Sequence, residues 1–230
     1  MLQICLKEPG YVTALLQPGE EFSVEQLLNL LIVASSNDAA ISLAEHTGGS
    51  VENFSKLMNQ KAKSLGCKNT HFVNPNGLHE KNHYSTAYDL SLIARAAMKN
   101  PNFRNLVTKT YYELPATAQY KKEDRVFTTT NELLIENHSN TTDNYYYQYA
   151  TGIKTGYTTP AGNCLIASSK KDDLSFIVVM LGAGTTSSKL SERYLDAHTL
   201  FDYGYANYEL RKLYKKRSDC SHSRCKIWYS

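Results

Sequence analysis

At 230 residues, with 42% of them hydrophobic, the chain is long enough for one domain with a buried core, which excludes a disordered tail. Its formal charge of +3 excludes the concentrated basic character of a nucleic-acid binder. Five cysteines without a C-x-x-C exclude a redox dithiol and a zinc ribbon, and the longest apolar run, Leu27 to Ala34, is broken by Asn29 and too short to span a bilayer.

Residues 1–22 read as a short extended piece and a turn, punctuated by Pro18-Gly19-Glu20-Glu21. Met1-Leu2-Gln3-Ile4-Cys5 meets Lys7, Glu8 and Pro9 before a secretory apolar region can form. Ser23, with Gln26 completing a capping box, starts a helix whose Val24, Leu27, Leu28, Leu31 and Ile32 make a broad apolar side. That helix runs into Ser35-Ser36-Asn37-Asp38, residues that favour caps and turns. A second helix follows through Ala39, Ile41, Leu43 and Ala44 to Gly48-Gly49. A third starts after Ser50, with Val51, Phe54, Met58, Ala62 and Leu65 at helical spacing, and closes at Gly66. Ser85 is expected to cap a fourth, carrying Ala87, Leu90, Ala94 and Ala97 inward and stopping before Pro101. Strands are then expected over 107–114, 126–131, 161–169 and 174–181, with Lys170-Lys171-Asp172-Asp173 as a hairpin turn. A last helix is expected over about 187–203, with Leu190, Tyr194, Leu195, Ala197 and Phe201 on its apolar side. Helices first, then hairpin strands and a closing helix, define an α+β class and not alternating βαβ units.

Two short segments carry chemistry. Lys154-Thr155-Gly156, placed on the strand before 161–169, offers a cation and a hydroxyl to an anion, and its glycine leaves the strand edge open to a peptide. Ser35-Ser36-Asn37, at the junction of two helices, offers a hydroxyl for proton relay and a carboxamide for a substrate carbonyl. The plainer alternative is that Ser36, Asn37 and Asp38 only cap the second helix.

In their order and context, S-x-N between helices and K-T-G on a strand resemble the penicillin-recognising serine acyltransferases. More narrowly the chain resembles the serine-type D-alanyl-D-alanine carboxypeptidases among the low-molecular-weight penicillin-binding proteins. Pro18 to Ser23, Leu30 to Ala40, Gly66 to Leu78, Tyr84 to Leu90 and Gly152 to Gly162 all resemble blocks of that family. The resemblance implies helices plus an antiparallel sheet in a β-lactamase/transpeptidase-like fold, a partial catalytic domain over residues 1–214, and no cofactor or metal. It implies a peptidoglycan stem peptide ending in D-Ala-D-Ala as substrate and β-lactams as ligands, on the outer side of the cytoplasmic membrane. Membrane association is expected only in a longer parent. Position by position, Ser35 would relay a proton and Asn37 would hold the penultimate carbonyl. Lys154 and Thr155 would hold the terminal carboxylate, and the N–H of Tyr157, just past Gly156, would form half of an oxyanion hole. Such a donor is usually worth about 3 kcal/mol in the transition state.

The family's nucleophile is the serine of an S-x-x-K element that precedes S-x-N, and no residue before Ser35 belongs to one. Ser168-Ser169-Lys170-Lys171 has the spacing but follows K-T-G at a strand end, so it is assigned no catalytic role. The expectation is a chain truncated at its N-terminus, lacking the first strands and the nucleophile helix, with apolar surface exposed in their place. Residues 215–230 are expected to be an atypical tail, with Cys220 and Cys225 as free thiols. The basic run Arg211 to Arg217 reads as a solvated element end, with contact to a membrane surface or an anionic polymer as its alternative. Two further function readings stand beside the enzyme: an inactive fragment or pseudoenzyme that binds peptidoglycan peptides, and a zinc peptidase built on His79-Glu80-Lys81-Asn82-His83.

Overall fold

The computed structural model describes residues 11–120, 125–136, 145–186 and 191–211. Its elements are α1 (Val24–Val33), α2 (Asn37–Gly48), α3 (Val51–Ser64), α4 (Ala87–Ala97), α5 (Pro101–Val107), β1 (Tyr111–Leu114), β2 (Arg125–Thr128), β3 (Ala150–Thr158), β4 (Gly162–Lys171), β5 (Leu174–Ala183) and α6 (Glu192–Asn207). Helices plus antiparallel sheet are thus observed as expected. The expected tail over 215–230 and the thiols Cys5, Cys220 and Cys225 fall outside the described residues.

Local chemistry sets most boundaries. At α1 the Ser23–Gln26 capping box forms in both directions. Gly49, in the left-handed region at φ 77°, ends α2, and its N–H caps the Glu45 carbonyl. Several expectations need correction. The strand expected over 126–131 ends at Thr128, Lys170 and Lys171 stay in β4 and leave Asp172-Asp173 as the turn, and the last helix runs from Glu192 to Asn207. Thr86, not Ser85, caps α4 by accepting from the Asp89 N–H, while the Ser85 hydroxyl pairs with Thr70. The strand expected over 107–114 begins only at Tyr111, because Pro101 opens α5 behind the Asn100 cap. A proline at the first helical position lacks only an N–H that needs no helical partner, so it starts a helix as readily as it stops one.

Strands β3, β4 and β5 form one antiparallel sheet in that order, while β1 and β2 form a separate hairpin. Leu165, Ala167 and Met180 bury one face of the large sheet against Tyr194, Ala197 and Phe201 of α6. Ile166 and Ile177 point the other way, into a cluster formed by Ala94 of α4, Val107 of α5 and Ile153 of β3. This second cluster fixes β3 against the helices one residue before Lys154. A third cluster, Ala14, Leu27, Leu30, Ala39, Leu43 and Leu114, joins α1 and α2 to the β1–β2 hairpin.

Close approach explains the glycine that opens the K-T-G strand. Gly152 sits at φ 127°, and an added Cβ would lie 2.7 Å from Val107 Cγ2. Gly152→Ala is therefore expected to cost about 1–3 kcal/mol through overpacking and backbone strain. Urea unfolding checks this; an unchanged midpoint would show that α5 yields freely.

Candidate active site

One groove of about 380 Å³ brings the sequence-predicted residues together. Ser35, Ser36 and Asn37 at the α1–α2 junction form one wall, and Lys154 to Thr158 on β3 form the other. Loop residues Phe72 and Asn74 to Leu78, with His83, close one side, and Leu31, Ile32 and Met58 give the groove an apolar floor. All six predicted site residues, Ser35, Asn37, Lys154, Thr155, Gly156 and Tyr157, line it.

At the junction the two serines divide the work. Ser36 caps α2, accepting from the Ala39 N–H at 3.2 Å and donating to Asp38. The capping alternative thus holds for Ser36, and Asp38 joins it by accepting from the same Ala39 N–H. Ser35 stands in the left-handed region at φ 56°, a conformation a serine seldom adopts. Its half-buried hydroxyl has no hydrogen-bond partner among the described residues, so it is free to face whatever enters the groove.

Asp38, next to the motif, is the anchor of this wall. Its buried carboxylate accepts from the Thr13 and Ser36 hydroxyls and from the N–H groups of Ala14, Leu16 and Ala39. It thereby ties the extended segment 13–16 to the start of α2. That segment brings the Val12 carbonyl to Asn37, whose Nδ2 donates to it at 2.9 Å. The carbonyl can only accept, so the orientation of the Asn37 carboxamide is fixed, and its Oδ1 accepts from Asn76 Nδ2 at 2.9 Å.

On the opposite wall, β3 is an edge strand of the sheet among the described residues, and Gly156 and Tyr157 are exposed along it. Lys154 pairs across the sheet with Ile166, on the face covered by the helices. Its Nζ donates to the Thr155 carbonyl at 3.0 Å, and no carboxylate among the described residues pairs with it. Burial, aided by the nearby Arg193 guanidinium, brings the Lys154 ammonium down to about 8. Arg193, on α6, stacks over Tyr194 and donates to its phenol oxygen, while its buried Nε has no partner. The Thr155 hydroxyl meets that of Thr130, whose carbonyl accepts from the same Tyr194 hydroxyl. Of these groups Lys154 and Thr155 line the groove, and a cation beside a hydroxyl with no acid paired to it suits a carboxylate.

Sequence patterns gave Asp38 only as a helix cap and missed Asn76, Thr130 and Arg193. Asn76 lies inside a family-like block, the one signal available for it. Thr130 and Arg193 do not line the groove and touch its β3 wall through tertiary contacts alone.

The competing motifs sit elsewhere. Ser168 is buried and pairs with Thr151 away from the groove. A second S-x-x-K, Ser223-Arg224-Cys225-Lys226, lies outside the described residues. His79 to His83 form a turn and not a helix, so the two imidazoles do not share a helix face. His83 Nδ1 accepts from the Val73 N–H, and among the described residues no group of three His, Cys, Asp or Glu side chains could hold a metal. No helix of the described residues is long and apolar enough to cross a membrane.

A family model described as D-alanyl-D-alanine carboxypeptidase matches residues 6–185. The chain is 39% identical over 201 residues to the D-alanyl-D-alanine carboxypeptidase DacF of Bacillus subtilis, covering 87% of this chain and 47% of that protein. To DacC of Escherichia coli it is 33% identical over 205 residues, 87% of this chain and 45% of the relative. The chain therefore spans about half the length of these curated relatives. Among solved structures, a D-alanyl-D-alanine carboxypeptidase from Mycobacterium tuberculosis aligns with a TM-score of 0.74 at 30% identity, over 88% of this chain and 71% of that one. The Streptomyces K15 DD-transpeptidase aligns with a TM-score of 0.72 at 32% identity, over 85% and 72%.

Proposed function

The chain belongs to the D-alanyl-D-alanine carboxypeptidase family, and from that premise we propose that its groove holds the D-Ala-D-Ala end of a peptidoglycan stem peptide for serine acyl transfer. The observation that carries this is the half-buried Lys154 on an edge strand, without a carboxylate partner among the described residues and across one groove from the free Ser35 hydroxyl. The peptide lies along β3, its terminal carboxylate on Lys154 Nζ and the Thr155 hydroxyl. Asn37 meets the penultimate carbonyl, and Ser35 passes a proton. The Tyr157 N–H stabilises the oxyanion formed when a serine oxygen attacks the carbon of the scissile amide. The C–N bond breaks, D-alanine leaves with a proton, and water hydrolyses the ester. A β-lactam enters the same path by opening its ring on the serine. The reaction belongs outside the cytoplasmic membrane, where this polymer lies.

A second reading applies to the 230-residue chain by itself: binding of the peptide without turnover. It is favoured by one observation, that none of the described groove residues belongs to an S-x-x-K element.

Peptide binding tests the shared core of both readings. The chain is expected to bind a fluorescent peptide ending in D-Ala-D-Ala and to reject its C-terminal amide. Equal affinity for the two would sink the carboxylate assignment. Lys154→Met is expected to remove about 2–3 kcal/mol of that affinity, the worth of a charge-assisted contact. Wild-type affinity should also fall as the pH rises above about 8, because Lys154 then loses its charge. The stability of the free protein moves the opposite way. Unfolding returns Lys154 from about 8 to its ordinary 10.5, so between these values the unfolded chain binds more protons and the native state gains as pH rises. A flat affinity profile across this window would remove Lys154 from the site.

A further inference from the structure

A second groove, of about 860 Å³, runs between helices α4 and α5 and the adjoining end of the β4–β5 sheet. Arg95 faces it from α4, Lys99 from the turn that follows α4, Arg104 from α5, and Lys170 from β4. No acidic residue lines it, and none of the four cations forms an ion pair among the described residues. The whole chain carries a formal charge of only +3, so the gathering of four cations here is local and not a consequence of a basic protein. Asp172 and Asp173, in the turn beyond Lys170, do not line the groove.

A cation in the last turn of α4 complements the helix dipole, which accounts for Arg95. It does not account for Lys99, which lies beyond the helix end, nor for Lys170, which lines the groove from the sheet. Arg104 is also held in place: its Nη1 donates to the Met98 and Lys99 carbonyls at 2.9 and 3.2 Å. Its other nitrogens remain available, and the Ser175 hydroxyl adds a further donor on the sheet side.

We propose that this groove is a binding site for an anion carrying two or more phosphates, held by Arg95, Lys99, Arg104 and Lys170. A single carboxylate would leave most of this charge uncompensated. A pair of phosphates matches it, and the planar guanidinium forks of two arginines suit phosphate oxygens. The same chemistry is presented by a soluble phosphate chain and by phospholipid headgroups.

The test uses the full 230-residue chain and tripolyphosphate as probe, with calorimetry at low salt. Saturable binding is expected. Arg95→Glu and Lys170→Glu should each weaken it at least about tenfold by reversing a charge at close range. Lys56→Glu, which makes the same charge change on α3, should alter it less than about twofold. Thermal melts of the variants confirm that they fold; should Arg95→Glu fail to, Lys170→Glu at the exposed strand end carries the test. Absence of saturable binding, or equal weakening by Lys56→Glu, overturns the proposal. Phosphatidylglycerol vesicles separate the sources. Sedimentation with vesicles that tripolyphosphate competes away assigns the headgroup, and tripolyphosphate binding without vesicle binding assigns a soluble chain. Vesicle binding that tripolyphosphate leaves untouched places the contact on another surface and overturns the groove assignment.

Discussion

Incubated with a labelled penicillin, the 230-residue chain is expected to gain no covalent mass. Acylation needs a serine whose proton is taken by a base within hydrogen-bond reach. Of the groove hydroxyls, Ser36 is committed to the α2 cap and Thr155 to Thr130. Ser35 is free but has no base hydrogen-bonded to it, and Lys154 Nζ is bonded to the Thr155 carbonyl. The groove therefore presents two walls without an activated nucleophile among the described residues. Intact-mass measurement checks the expectation directly. Supplying an S-x-x-K helix segment from a relative, fused or in trans, should then place an adduct on the added serine. An adduct on Ser35 of the unmodified chain would mean that the partly neutral Lys154 serves as base. An adduct on Ser223 would bring the C-terminal S-x-x-K into play. Either outcome would refute the reading of binding without turnover.

What the sequence made legible was local or carried by short motifs. The Ser23–Gln26 capping box fixed the start of α1, and the polar stretch Lys170 to Asp173 located the β4–β5 hairpin, although Lys170 and Lys171 remain paired in the strand. K-T-G and S-x-N are weak signals separately; their order is what points to two walls of one groove, and both segments line it. Errors arose where two local rules conflict. Pro101 both ends α4's neighbourhood and opens α5, and only the Asn100 cap decides between these roles. Ser85 and Thr86 are equally good caps by type; the side chain whose oxygen reaches the Asp89 N–H wins.

The rest depends on contacts between residues distant in sequence, which no periodicity encodes. Nothing in Ser35-Ser36-Asn37 says which serine will face the groove. The choice is made by the positive φ at Ser35 and by Asp38, which draws Ser36 into the cap while gathering the 13–16 segment. Likewise, Arg193 comes within range of Lys154 because α6 packs on the sheet, not because of any spacing in the chain.

The Glu20–Arg125 pair shows how far such a contact can reach. Both side chains are buried, at 0% and 4% exposure, and they meet at 2.7 Å. Arg125 also donates to the Leu15 carbonyl at 3.1 Å and stacks on Tyr120, 4.3 Å from its ring centre. Removing either partner leaves a buried charge uncompensated, so Glu20→Gln and Arg125→Met are each expected to cost about 3–5 kcal/mol. Replacing both with apolar residues should recover much of that loss, and a double-mutant cycle measured in urea separates the two cases. If the double variant were as unstable as the sum of the singles, the pair would not be coupled. The pH dependence has a definite sign. Burial alone would raise the Glu20 carboxyl, but hydrogen bonds from Arg125, Thr117 and the Gln17 N–H outweigh it and hold the group below its ordinary 4.5. Its contribution is therefore present above 4.5 and is lost as pH falls through the lower folded value. The consequence extends to the groove, since Arg125 fastens the 14–15 backbone just beyond Val12, and the Val12 carbonyl orients Asn37. Single variants at Glu20 or Arg125 should thus weaken binding of a D-Ala-D-Ala peptide even at temperatures where they remain folded. Unchanged affinity in a folded single variant would show that Asp38 alone holds this wall.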